Sequence, residues 1–354
     1  MLWMRITKRQ EPLGIGGSCF VLLAALALSL LVSGLLLYLG GTSPIKGIAV
    51  LFQGAFGSRW AIEDSVGKAI PIFLCALGVA VAFRLKIWNI GAEGQFALGA
   101  IGATWMALSF PGWPKYLLLP AMIGMAMAAG GLWGLIPALL RQRLRTNEII
   151  VTLMMNYIAI LFLDFLVYGV WKDPTSFGFP MTPGFSEQAI VGRISGTAVN
   201  WGLAHCLLLG TLVFVFFRFT RTGFEIKAAG DNVRAARYAG LPYDRLVVLV
   251  MVMSGAFAGW AGFVEASATV NRLQPSIMVG YGYTAIVVAW LARLNPLNIG
   301  IASVLLAGLR VGVESLQLDL QVPAAFGGII EGLILLTVLA GGLFTHYRLV
   351  PVRR

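Results

Sequence analysis

CFVLLAALALSLLVSGLLLYL, Cys19 to Leu39, runs without a single charged residue. An α-helix needs about twenty apolar residues to cross roughly 30 Å of hydrocarbon, whereas a membrane β-strand shows about ten residues of alternating polarity. This run does not alternate, so it reads as a helix that spans a membrane. The remainder of the chain repeats the pattern. Of its 354 residues 58% are hydrophobic and only 12% are charged, and the mean hydropathy is +0.85, outside the range of soluble domains. The expected fold class is all-α: a polytopic membrane helix bundle.

Ten spans are expected, at 20–39, 67–83, 94–110, 117–140, 149–170, 201–219, 246–268, 282–292, 299–315 and 325–344. With the N-terminus inside, eighteen basic residues fall on inner segments and seven on outer ones, and Arg310 lies within a span. Basic residues collect in cytoplasmic loops, so this asymmetry predicts about ten transmembrane helices with both termini cytoplasmic. The division that follows is a tail at 1–19, a membrane domain at 20–345 and a second tail at 346–354. The start resembles a signal peptide in carrying Arg5, Lys8 and Arg9. Its apolar run exceeds the usual length of about 7–15 residues and no A-x-A-like site follows, so it is read as an uncleaved first span.

The same asymmetry explains the net charge of +11 without a nucleic-acid partner, and none is expected. Cys19, Cys75 and Cys206 are scattered, without metal-ligand spacing, and are read as packing residues; no metal or cofactor is expected. His205 and His346 are the chain's two histidines, and no nucleophile–base or metal constellation accompanies them, which leaves an enzyme little to work with.

Two loops are long enough to have a job. The outer one, 171–200, contains Pro174, Pro180 and Pro183, which discourage a helix. The inner one, 220–245, reads TRTGFEIKAAGDNVRAARYAGLPYDR: Asp231 or Asn232 can cap a short basic helix that ends at Gly240, with Pro242 just beyond.

KIWNIGAEGQF, Lys86 to Phe96, is polar and broken by glycine between two apolar runs that are each short for a full span. Short, glycine-interrupted segments can dip into a membrane where protein or a water-filled path surrounds them, and Asn89, Glu93 and Gln95 would then face a pathway. An ordinary cytoplasmic turn, with Arg84 and Lys86 at the headgroups and Glu93 near a helix N-terminus, accounts for the same residues. Both readings stand at this point.

NIGAEGQFALGA, Asn89 to Ala100, resembles the signature of permease subunits of bacterial ATP-binding cassette importers, in the branch that handles nucleosides and simple sugars. In the inner loop, Gly223, Ala228, Gly230, Asn232, Ala235, Ala236 and Gly240 match that family's pattern. GYGYTAIVVAWLARLNPLNIGIAS, Gly280 to Ser303, matches a third segment at Asn295 and Pro296, with Ala292 where the family has Gly. The resemblance covers nearly the whole chain after the first span.

It implies a multi-pass subunit of the bacterial inner membrane that works with a separate cytoplasmic ATPase and a periplasmic or lipid-anchored solute-binding protein. The chain itself carries no G-x-x-x-x-G-K-[ST] phosphate loop. The chain's length and N-terminal tail resemble the longer of two paired permeases, implying a second homologous permease and a heterodimeric pore. Val233 to Ala239 is the expected docking helix for the ATPase. Ala235 and Ala236 would permit close contact, Arg234 and Arg237 would pair with acidic groups, and Gly223, Gly230, Asn232 and Gly240 complete the coupling set. A basic loop lying on anionic membrane lipid is the alternative.

Ionisable residues inside spans are costly and are usually paired or functional. Arg310 and Glu314 are four apart and can neutralise one another along one helix, while Glu265 and Glu331 fall toward span ends, within reach of headgroups. Asp164 sits within span five without a local basic partner and joins Asn89, Glu93 and Gln95 as a candidate for the substrate path. It also keeps an ion-coupled transporter in view, and the same machinery carrying ribose or branched-chain amino acids is a closer alternative. Trp60, Trp88, Trp105, Trp113, Trp171 and Trp201 fall mostly near span ends, where an interfacial belt explains them.

Overall fold

A computed structural model describes residues 3–8, 15–344 and 347–352. Arg9, His346, Arg353 and Arg354, which the tail and charge assignments above include, lie outside the described residues. Thirteen helices follow in order: α1 (Ile15–Leu39), α2 (Pro44–Phe56), α3 (Arg59–Arg84), α4 (Ala92–Ser109), α5 (Lys115–Leu144), α6 (Glu148–Tyr168) and α7 (Gly202–Phe219). Then come α8 (Arg221–Asp231), α9 (Val233–Tyr238), α10 (Tyr243–Val264), α11 (Tyr281–Leu291), α12 (Pro296–Asp319) and α13 (Ala324–Phe344). The chain divides into two compact units, one built from residues 1–65 with 307–354 and the other from 66–306.

Each of the ten apolar runs coincides with one helix. Six elements are long and apolar enough to cross a membrane individually: α3, α5, α6, α7, α10 with its continuation to Val270, and α12. The pair Ala27–Leu39 and Pro44–Phe56, bent by 120°, meets the same test jointly. α4 is not among them, because Glu93, Gln95 and its glycines dilute its apolar content, and α11 is too short.

In the smaller unit, α1 lies against α13 and α2 turns back along α1. The sequence reading left 40–66 as a loop. α2 is amphipathic and short, with Gly47, Leu51 and Ala55 buried and Ile45 and Phe52 exposed, so it lacks the long run that marks a span. Arg310 on α12 meets Glu331 on α13 at 3.2 Å. Glu331 therefore serves as a partner for the intramembrane arginine instead of reaching for headgroups, and pairing relieves the cost of burying either charge. The tails add a short antiparallel ribbon, β1 (Trp3–Lys8) with β2 (Tyr347–Val352), in which Trp3 stands opposite Val352 and Lys8 opposite Tyr347.

The larger unit is organised around α4. Fourteen of its residues are buried, among them Glu93, Gln95, Phe96 and Thr104, as expected for a helix enclosed by protein on every side. α5 and α10 flank it and also pack on each other, with α6 and α11 closing the remaining sides. Backbones come very close: a Cβ on Gly99 would stand 2.2 Å from the Gly259 Cα, and small residues are what allow membrane helices to approach so closely. α10 continues from Glu265 to Val270 as a π-helical turn. Glu265 is 6% exposed there, and its carboxylate accepts a hydrogen bond from the Thr269 hydroxyl at 3.3 Å. Its expected reach to the headgroups is thus replaced by burial.

Candidate functional site

After α3 ends at Arg84 the chain does not turn straight into another helix. Residues 85–91 are non-helical, and burial alternates along them: Leu85, Ile87 and Asn89 are inside, while Lys86 and Trp88 are exposed. The segment runs antiparallel to α11. The Arg84 guanidinium donates to the Leu294 carbonyl at 2.7 Å, Trp88 stacks on Trp290 with centroids 5.4 Å apart, and Glu93 meets Gly280 and Gly282. Eleven residues of helix span about 16 Å, so Glu93 lies roughly half a bilayer core away from the Arg84 contact. The geometry favours the dipping segment over the surface turn.

What that segment carries inward is a knot of polar groups. Both Glu93 carboxylate oxygens accept backbone N–H bonds at the start of α11, from Gly280 at 2.9 Å and from Gly282 at 2.6 Å. A helix leaves its first N–H groups without internal partners and carries partial positive charge there, so a carboxylate is the favoured cap. The approach requires glycine: a Cβ on Gly282 would stand 2.3 Å from the Glu93 nitrogen. Asn89 donates to Gln95 Oε1 at 3.0 Å and to Ser254 Oγ at 2.8 Å, and its own Oδ1 accepts from the Gly91 N–H at 2.9 Å.

α6 supplies the other half. Thr152 Oγ1 accepts from the Ile90 N–H at 3.2 Å. Asn156 bridges the break in both directions: its Oδ1 accepts from the Gly94 N–H at 2.9 Å and its Nδ2 donates to the Ile90 carbonyl at 2.9 Å. A further bond runs from Asn156 Nδ2 to the Tyr283 hydroxyl at 3.2 Å. The backbone freed by the missing helical turn is thereby re-satisfied by side chains, the condition for non-helical chain at membrane depth.

Three of the four path candidates, Asn89, Glu93 and Gln95, are therefore brought together, at 0%, 2% and 1% exposure. Asp164 is not with them. It lies about two turns beyond Asn156 on α6, half-buried and near that helix's far end. Thr152, Asn156, Ser254 and Tyr283 were not anticipated. The signal available for two of them is VTLMMN, where Thr152 and Asn156 stand four apart in an otherwise apolar run and so share a helix face.

The second polar region is the loop from α7 to α10. α8 is seated on the bundle by its glycines: a Cβ on Gly230 would lie 2.0 Å from the Arg84 carbonyl oxygen and one on Gly223 2.3 Å from that of Phe216. Lys227 donates to the Phe217 carbonyl at 2.8 Å; partial burial, then the nearby Arg84 and Arg218 charges, lower its pKa. Asn232 caps α9 by accepting the Ala235 N–H at 3.1 Å. Gly240, at φ 77°, ends it: its N–H donates to the Arg237 carbonyl and the Leu241 N–H to that of Ala236, both at 3.0 Å. That double closure uses the left-handed conformation glycine adopts freely.

The exposed face of α9 consists of Arg234, Ala235, Arg237 and Tyr238, the last 97% exposed. Ala236 is 5% exposed and faces the bundle. Of the eight residues expected to form the coupling set, Arg234, Ala235 and Arg237 present their side chains outward. Asn232 and Gly240 shape the helix ends, while Gly223, Gly230 and Ala236 hold the element in place. Among the described residues no group of three or more His, Cys, Asp or Glu side chains is placed to hold a metal.

An enclosed polar break within a bundle of apolar helices, together with a rigid, basic helical knob outside it, defines a membrane transport subunit worked from without. The family model for the permease component of branched-chain amino acid transport systems matches residues 61–339, and the chain belongs to that family. Its members are transport subunits whose ATPase is a separate chain. A glucose ABC transporter permease of Haloferax volcanii is 32% identical over 96% of this chain and 92% of its own length. A guanosine permease of Bacillus subtilis is 32% identical over 89% and 91%, and a nucleoside permease of Lactococcus lactis 32% over 84% of each. Each of these organisms also has a second permease that matches, at 27%, 27% and 22% identity respectively.

Proposed function

We propose that this chain is one of two unlike permease subunits in an ATP-driven importer of nucleosides or simple sugars. The observation that carries the cargo assignment is the match along most of both chains to three permeases named for glucose, guanosine and nucleosides. The second matching permease in each organism, always at lower identity, supports a heterodimer. A solute-binding protein delivers the cargo from outside and the ATPase works from inside.

Ten crossings with both ends cytoplasmic fit this role. The basic asymmetry supports that orientation, and the β1–β2 ribbon, which lays the two tails side by side, requires an even number of crossings. The segments at 85–109 and 271–291 then cross as part extended chain and part helix. α9 becomes the contact for the ATPase, with Tyr238 and Ala235 against its surface and Arg234 and Arg237 toward acidic groups.

Uptake of labelled nucleosides, ribose, glucose and branched-chain amino acids into proteoliposomes tests the reading. The vesicles hold this chain, its partner permease, the ATPase and the binding protein. Nucleoside or sugar uptake that needs both internal ATP and the binding protein is the expected result. Uptake by this chain alone on an ion gradient would overturn it and turn attention to Asp164.

A further inference from the structure

At the end of the larger unit opposite the coupling knob, a cavity of about 490 Å³ opens between the end of α4, the end of α6 and the loop that follows α6. Its volume is within the roughly 300–1,000 Å³ typical of small-molecule sites. Leu108 and Pro111 form an apolar floor, and Trp171, Lys172, Gly184 and Ser186 line the remainder. The Ser186 Oγ is buried and has no hydrogen-bond partner among the described residues. Leaving a buried hydroxyl unsatisfied is costly, so this group points to something that arrives.

The walls are fixed in place. The Asp173 N–H donates to the Met181 carbonyl at 2.8 Å, the Thr182 N–H to the Leu273 carbonyl at 3.0 Å, and the Phe185 N–H to the Asn271 carbonyl at 2.9 Å. A half-buried indole, a hydroxyl able to donate and accept, and an ammonium able only to donate therefore surround one preformed space. A sugar ring presents a C–H face for the indole and hydroxyls of both polarities for the serine and lysine. The two helices whose far ends frame the cavity, α4 and α6, are those tied together by the Asn156 bridge at the other end.

We propose that this cavity is a receiving site for the sugar ring of the solute, with Trp171 as the stacking face and Ser186 and Lys172 as hydroxyl partners. The proposal rests on the importer reading, which places this end outside, where cargo is delivered.

The test uses the complete transporter in proteoliposomes, with Ser186→Cys introduced into a chain whose Cys19, Cys75 and Cys206 are replaced by alanine. Modification by a small external thiol reagent is timed with a nucleoside, with ribose or glucose, and with a free nucleobase. The transported nucleoside or sugar slows labelling several-fold and the base does not. Equal protection by the base, or protection by none, overturns the sugar assignment. Independently, Trp171→Ala lowers solute moved per ATP by about tenfold, the loss expected of one ring-stacking contact. Stimulation of ATP hydrolysis by the binding protein persists, and Trp171→Phe restores transport. Parallel loss of hydrolysis and uptake that Phe does not restore makes the tryptophan structural and overturns its role. Uptake by the unmodified complex with labelling blind to every solute removes this site and spares the importer; absence of any nucleoside or sugar uptake removes both.

Discussion

The buried knot at 89–95 and the exposed knob at 232–240 look alike in the sequence. Each mixes glycine, asparagine, alanine and charge, and each resembles a family pattern. The structure gives them opposite energetics. In the knot every named polar group faces inward onto another part of the chain, so removing one leaves its partners buried without water. In the knob the polar groups face outward, and the glycines and Asn232 only shape and seat the helix. Two stretches of similar composition thus separate into one that holds the fold and one that is free to bind.

That contrast can be attacked in order of expected effect on thermal unfolding of the purified chain. Glu93→Ala strips the cap from α11 and leaves the Gly280 and Gly282 N–H groups buried; a loss of about 3 kcal/mol or more is expected. A small loss would mean water or another group fills the cap. Asn156→Ala unties the bridge between α6 and the broken segment and should cost about 1–2 kcal/mol, read as a smaller fall in unfolding temperature. At the knob, Gly240→Ala forces a left-handed turn on a residue with a Cβ, for about 1 kcal/mol.

Ala235→Glu should move stability by no more than about 0.5 kcal/mol yet abolish co-purification with the ATPase, whereas unchanged co-purification would remove α9 from the interface. Smallest is Asp173, fully exposed at the loop tip. The Thr175 hydroxyl, then the Thr175 N–H, hold its carboxyl below the usual carboxylate range. The sign follows from the lowered value: whatever the turn gains is present above the ordinary carboxylate pKa and disappears as pH falls through the folded one. Proteolysis of the 171–200 loop should therefore accelerate only in acid, and Asp173→Asn should remove that dependence.

Much of this arrangement was legible in advance, for identifiable reasons. Apolar runs of span length announce themselves, and the α9 helix was readable because Asn232 and Gly240 are strong local stop and start signals whose effect reaches only a few residues. The knot was half readable. Its near side, Asn89 to Gln95, stood out as polar chain in an apolar setting. Its far side did not: Ser254, Gly280 and Gly282 lie well over a hundred residues along, and nothing local says that they return to Glu93. Glu331 was misjudged for the same reason, since its partner Arg310 sits on a neighbouring helix. Ala236 was misplaced because a six-residue helix gives no periodicity from which to choose an inner face.

The closure at Gly240 has a mechanical consequence. Between α9 and the start of α10 stand only Ala239 to Pro242, and their freedom is taken up by the bonds from Gly240 and Leu241 back into α9 and from Tyr243 to Leu241. A linker with no slack transmits displacement instead of absorbing it. A push on Tyr238 is delivered to α10 as motion of the whole helix, and α10 meets α4 backbone to backbone at Gly99 and Gly259. The stroke of a distant motor would arrive at the helix that carries Glu93 with little lost in compliance.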